Sequence, residues 1–196
     1  TEQTIDNPPE PPMFCSLLRK HIDGGFIESI EQLDADRIIK ITIASKDEIG
    51  DATRRILYAE IMGRHSNLIM VDDSTNKIVD SLKHLSPSVN SYRTILPGSL
   101  YIAPPKQDKL NPLFVTTDEL NAFFAEKQDA QAIMQKFIGF SSLHANELIL
   151  RAQEQQTTPA NIFKSFIDEF AEGGTQPTYI EKGRKVIFSP IDLHGF

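Results

Sequence analysis

RIIKITIAS, residues 37–45, alternates without a break: Ile39, Ile41 and Ile43 point to one side, Lys40 and Thr42 to the other. That period of two is the signature of a strand with one face buried. Working outward, the β-compatible residues Phe26, Ile27, Ile30 and Leu33 precede it. RILYAEIM (55–62), NLIMV (67–71) and KIVDSLK (77–83) follow, separated by a turn containing Gly63 and by the polar turn DDSTN (72–76). Strands that succeed one another across short turns predict a largely antiparallel sheet. A helix over 52–62 is the competing reading, because periodicity alone separates short apolar runs poorly.

The flanks complete an α+β pattern. NPPEPP (7–12) favours extended backbone and leaves Pro12 suited to the first position of a helix. Phe14, Leu17, Leu18, His21 and Ile22 then recur at spacings of three and four, predicting an amphipathic helix over 12–23 that ends at Gly24-Gly25. Residues 85–105 are broken by Pro87, Pro97, Gly98, Pro104 and Pro105 and read as a long irregular connection, a kind of segment that often carries function. After Pro112 the period becomes helical. Thr116 and Glu119 form a capping-box pattern ahead of Leu120, Phe123 and Phe124. A second helix carries Ile133, Met134, Phe137 and Ile138 up to Gly139, and a third, capped by Ser141, carries Ala145, Leu148, Ile149 and Ala152. A fourth opens at Thr158-Pro159, carries Ile162, Phe163, Phe166, Ile167 and Phe170, and stops at Gly173-Gly174. Residues 178–189 read as a strand or hairpin around Gly183 that can rejoin the first sheet. The expected division is therefore an α+β domain over 1–112, a helical module over 113–176 and a returning strand or hairpin over 177–196.

Composition narrows the function classes. With 40% hydrophobic and 24% charged residues the chain is of ordinary globular type, and no run approaches the ~18 apolar residues of a membrane span. The single Cys15 excludes an internal disulfide framework and a multi-cysteine zinc site, and its apolar neighbours Phe14 and Leu17 favour a structural thiol over a reactive one. His21, His65, His84, His144 and His194 show no metal spacing, and there is no Walker loop, zincin motif or nucleophile elbow. The reading is thus of a protein without metal, cofactor or catalytic constellation, not an enzyme. Thr1 in place of Met, with no basic-then-apolar leader behind it, reads as a piece of a longer chain.

A net charge of −7 argues against nucleic acid only if it is uniform, and it is not. Between Arg37 and Lys109 eleven Lys and Arg stand against eight Asp and Glu. Local cations suffice to contact phosphates. Within that span Asp36-Arg37 opens the most regular strand, where a carboxylate-steadied guanidinium would offer a planar fork to a phosphate or a base edge; the alternative is an ordinary surface ion pair. Arg64 and His65 sit in a tight polar turn, open to reading as an anion cradle or as a plain hairpin link. Lys83, His84, Tyr92 and Arg93 belong to a segment that mixes phosphate donors with an aromatic ring, as RNA-binding surfaces do, or else a loop whose hydroxyls satisfy one another.

These segments also carry a resemblance. PPMFCSLLRKHIDGGFIESIEQ (11–32), LDADRI (33–38), EIGD (48–51), EIMGRHSNLIMVD (60–72), LKHLSPSVNSYRTILPGSLY (82–101) and PPKQDKLNP (104–112) resemble the NFACT family. IGFSSLHANELILRA (138–152) resembles its helix-hairpin-helix region, and FSPIDL (188–193) also fits. The resemblance implies most of the family's amino-terminal domain, with an opening segment upstream and with coiled-coil arms and an NFACT-R domain downstream. It implies a fold like the amino-terminal domain of formamidopyrimidine-DNA glycosylases followed by a small helical module. The catalytic Pro and acid of those glycosylases have no counterpart here, so no glycosylase activity carries over. The family works in ribosome-associated quality control. It binds a large ribosomal subunit obstructed by peptidyl-tRNA, recruits aminoacyl-tRNA (alanyl-tRNA in bacteria) and directs untemplated carboxy-terminal tailing. Its Asp-Arg pair, tied to the tRNA role, falls on Asp36-Arg37. The family's older description as fibronectin-binding proteins implies the alternative, a surface adhesin. The first reading places the protein in the cytoplasm at the ribosome, the second at the cell surface. A sheet edge left unpaired by the absent opening segment would offer a route to dimers.

Overall fold

Residues 52–60 are a strand, and the competing helix does not form. In the computed structural model, which describes residues 6–47, 49–171, 176–183 and 185–195, β3 (Ala52–Glu60) is hydrogen-bonded on both sides. Its inward positions are Ile56, Tyr58 and Glu60, a period of two that a helix would scatter around its circumference. Around it lie β1 (Phe26–Gln32), β2 (Ile38–Lys46), β4 (Asn67–Asp72) and β5 (Lys77–Ser81), in the order β1-β2-β3-β4-β5 with every pair antiparallel. The sheet is a meander, as the sequence predicts.

The helix α1 (Met13–Ile22) starts one residue later than expected, with Pro12 as its cap, and buries Phe14. Arg19, Lys20 and His21 fill its last turn, where cations suit the negative end of the helix dipole. Gly25 then lets the chain pass close to β2: a Cβ there would lie 2.9 Å from the Ala44 carbonyl oxygen and 3.0 Å from Ile43 Cγ2. The core of this first unit, Thr1–Lys106, joins Ile38, Ile56, Tyr58, Ile69, Val71 and Ile78 of the sheet to Ile95 and Tyr101. The last two come from the proline-broken connection, which therefore covers one face of the sheet. It is tied down through Leu85 and Ile95, which exchange backbone hydrogen bonds, and through Ile78, which donates to the Ser99 carbonyl and accepts from the Gly98 amide.

The second unit, Gln107–Phe196, holds α2 (Thr117–Glu126), α3 (Ala130–Lys136), α4 (Ser142–Glu154) and α5 (Pro159–Ala171). Thr116 and Glu119 make the expected capping box, and Ser141 caps α4 through the His144 amide. Phe124, Phe137, Phe163 and Phe166 centre a core completed by Leu120, Ile133, Leu148 and Ile191. Buried Arg151 donates to Glu147, Glu169 and the Asp192 carbonyl, while Glu147 also accepts the His194 amide, so one ion pair fastens the closing segment onto α4.

Three expectations differ. The boundary falls after Lys106, not Pro112, because the Leu110 amide donates to the Lys136 carbonyl and its carbonyl accepts from the Ile138 amide. The same bridge ends α3 before Phe137 and Ile138, which were expected inside it. Residues 177–196 fold within the helical unit: among the described residues β6 (Thr178–Lys182) and β7 (Lys185–Ser189) pair with each other in a two-stranded sheet, not with the first sheet. The expected helix stop at Gly173-Gly174 lies outside the described residues.

Candidate nucleic-acid interface

The antiparallel register decides which polar residues meet. Ile38 pairs with Glu60 and Glu60 with Asn67, so the β1–β2 turn, the β3–β4 link and the exit of β5 share one end of the sheet. Asp36, Arg37, Arg64, His65, Lys83 and His84 all lie there.

The β1–β2 turn is tight. The Asp36 amide donates to the Leu33 carbonyl (2.8 Å), with Asp34 and Ala35 both left-handed at φ 50° and 57°. Two positive φ values match the twist of the strands they join. Asp tolerates that geometry, whereas Ala35 is strained by roughly 1–2 kcal/mol. Asp36 accepts the backbone amide of Arg37 on its own Oδ1 at 2.8 Å, and its carbonyl accepts from Gln32 Nε2. The Arg37 carbonyl accepts from the Ile61 amide at 2.8 Å. The expected carboxylate-to-guanidinium grip is thus corrected: Asp36 holds the backbone of Arg37. Its exposed guanidinium has neither hydrogen bond nor ion pair among the described residues.

In the β3–β4 link, Ser66 Oγ accepts from the Met62 amide, and Gly63 takes φ 57°. Arg64 Nε donates to His65 Nε2 (2.9 Å), and the Arg64 carbonyl accepts from Lys83 Nζ (3.2 Å). Buried Asn67 locks the two segments by exchanging side-chain hydrogen bonds with both backbone groups of Lys83, at 2.8 and 2.9 Å. His84 Nε2 lies 2.7 Å from Asp80 Oδ1. Arg37, Arg64 and Lys83 therefore share an absence of any carboxylate partner among the described residues. At the opposite end two arginines are neutralised: Arg54 stands 2.7 Å from Glu28 and 3.6 Å from Asp73, and Arg55 is paired with Asp72.

Arg93 is a second correction. Its guanidinium is bound by both oxygens of Glu60 at 2.6 Å and reaches the Ile102 carbonyl at 3.1 Å, so it is not free to meet a phosphate. Burial alone would lower its pKa, but the hydrogen bonds and charge of Glu60 outweigh that and hold it protonated. Tyr101 donates to Glu60 Oε1 (3.0 Å) and stacks on Tyr58, ring centroids 3.9 Å apart. Burial, with the Glu60 charge, pushes the Tyr101 phenol far up, so it remains a donor. Tyr92, which precedes Arg93 in the chain, is 55% exposed, with its amide held by Asn90 Oδ1. Ser86 and Ser88 bond each other, as the plainer reading of that loop expected.

Glu60, Asn67 and Tyr101 are structurally decisive residues that sequence reasoning did not single out. The signal for Glu60 was its place on the inward period of β3, where a carboxylate needs a partner. Among the described residues no cluster of His, Cys, Asp or Glu is arranged to hold a metal ion, and no helix is long and apolar enough to cross a membrane.

Comparison with known proteins agrees across the chain. The family model for NFACT N-terminal and middle domains matches residues 1–196. The chain is 55% identical over 154 residues to the Rqc2 homolog RqcH of Bacillus subtilis, covering 78% of this chain and 27% of that protein. It is 41% identical over 183 residues to RqcH of Streptococcus suis, covering 93% and 32%. The chain thus spans 27–32% of the length of these relatives. Among solved structures, the N-terminal part of the fibronectin/fibrinogen-binding protein of Streptococcus suis superposes with a TM-score of 0.83 at 38% identity, covering 99% of this chain and 69% of that one. The fibrinogen-binding protein of Staphylococcus aureus superposes with a TM-score of 0.77 at 40% identity, covering 95% and 69%.

Proposed function

The chain belongs to the family of NFACT N-terminal and middle domains, and on that premise we propose that it is the tRNA-engaging part of a ribosome-associated quality-control factor. In this reading the longer protein binds a large ribosomal subunit obstructed by peptidyl-tRNA and supports untemplated alanine tailing of the stalled chain, working in the cytoplasm. The chain itself is a binding module that makes and breaks no bonds.

The observation that carries the proposal is the set of cations without a carboxylate partner among the described residues at one sheet end: Arg37, Arg64 and Lys83, each on a backbone segment fixed by hydrogen bonds. Arg37 meets the tRNA, Asp36 positions it through the backbone, and Arg64 and Lys83 add phosphate contacts. Exposed Tyr92 offers a ring for stacking on an unpaired base. His65, which accepts from Arg64 Nε, and His84, beside Asp80, flank these groups. Arg93 serves from below, by holding the loop of Tyr92.

The test is alanine tailing by the full-length protein on obstructed large subunits. Arg37→Ala abolishes tailing and leaves subunit binding largely intact; normal tailing by that variant sinks the assignment.

The names of the solved relatives support a second reading, binding of fibronectin. Surface plasmon resonance of the folded chain against fibronectin separates the two, and a flat, unsaturable response removes it.

A further inference from the structure

We infer that Asn67 is a positioning residue for the cations Arg64 and Lys83: it sets their spacing, and so the affinity of this sheet end for a phosphodiester backbone, without touching the nucleic acid. The inference rests on the tRNA reading above. Lys83 lies beyond the end of β5, past the Leu82 amide that donates to the Leu68 carbonyl (2.9 Å). From there side chains hold the backbone. Asn67 Nδ2 donates to the Lys83 carbonyl (2.8 Å) and Asn67 Oδ1 accepts the Lys83 amide (2.9 Å), while Ser81 Oγ donates to the same carbonyl (3.0 Å). A carboxamide carries a donor and an acceptor side by side, so it stands in for a neighbouring strand; a carboxylate only accepts, and an apolar side chain does neither.

Asn67 is fixed in its turn. It opens β4, pairs with Glu60 of β3 and is 6% exposed, so its effect on a bound RNA passes through Lys83. The Lys83 ammonium donates to the Arg64 carbonyl (3.2 Å), which ties the exit of β5 to the β3–β4 link. An ammonium has three N–H groups, and those not spent on Arg64 are left for phosphate oxygens. Without Asn67 the Lys83 segment loses the bonds that keep its ammonium beside Arg64, and ordering a loose cation on binding costs entropy.

The experiment measures tRNA affinity over a range of salt for the wild type, Asn67→Ala, Lys83→Ala and the double variant, at a temperature where circular dichroism shows each one folded. Asn67→Ala weakens binding about fivefold, the net worth of one hydrogen bond, and lowers the log–log salt slope toward that of Lys83→Ala. In the double variant the Asn67 change adds nothing, whereas combined with Arg37→Ala it adds in full. A merely structural Asn67 would lower the unfolding midpoint and move neither the slope nor the cycle. Asn67→Thr, whose branched side chain suits a strand and whose hydroxyl replaces the carboxamide only in part, gives a smaller loss of the same pattern and serves where the alanine variant does not fold. Unchanged affinity and slope in both Asn67 variants, or the same loss with and without the Lys83 amine, overturns the inference and leaves the tRNA reading standing. A wild type that does not bind tRNA overturns both.

Discussion

Arg93 and Glu60 face each other as a bidentate ion pair, with 10% and 0% of their side chains exposed and both nitrogen–oxygen distances at 2.6 Å. The pair joins residues 33 positions apart and pins the proline-broken connection to the sheet end that carries Arg37. Deleting one partner strands a buried charge. Arg93→Ala or Glu60→Ala is therefore expected to lower stability by about 3–5 kcal/mol, whereas replacing both with well-packed apolar residues recovers much of that loss. Urea denaturation of the two single variants and the double apolar variant checks this.

Ala35 is held in a left-handed conformation that suits glycine better. Ala35→Gly relieves this strain at some cost in unfolded-state entropy, for a net gain of about 0.5–1 kcal/mol. Thermal unfolding reads the gain, and tRNA affinity should be unchanged, because the turn keeps the geometry that presents Arg37.

The helical unit carries a pH dependence at His144, which sits between Ser141 and Ser189 with its ring edge-on to Phe170. Burial lowers its pKa from 6.5, and the nearby Glu147 charge opposes this only in part. The unfolded chain therefore takes up the proton first. Above pH ~6.5 the histidine is neutral in both states and makes no difference. As pH falls below that value stability is lost, until the folded state also protonates and the loss levels off. Chemical denaturation at a series of pH values between 8 and 4, compared with His144→Gln, isolates this contribution as the part of the slope that the variant lacks.

Much of this was legible in the sequence, for identifiable reasons. RIIKITIAS and its neighbours alternate cleanly, so the meander follows from period alone, and Thr116, Glu119 and Ser141 announce helix starts through short-range chemistry. The candidate cations were legible as residues but not as a group. Arg37, Arg64 and Lys83 come together only through strand register, while Arg93, alike in sequence, is drawn inward by a carboxylate far away in the chain. The connection over 85–105 hid its contribution to the core because prolines erase any period, although Ile95 and Tyr101 are buried. The domain boundary was missed because one backbone bridge, Leu110 to α3, outweighs the more conspicuous Pro112.

The central claim is that the Arg37 end of the sheet contacts tRNA, and the salt dependence of tRNA affinity tests it most directly. Binding by the chain should weaken with salt, and Arg37→Ala, Arg64→Ala and Lys83→Ala should each weaken it and reduce the log–log slope by about one phosphate contact. Arg54→Ala, at the opposite end, where Glu28 and Asp73 already neutralise that arginine, should leave both unchanged. Equal slopes for Arg37→Ala and Arg54→Ala would contradict the account.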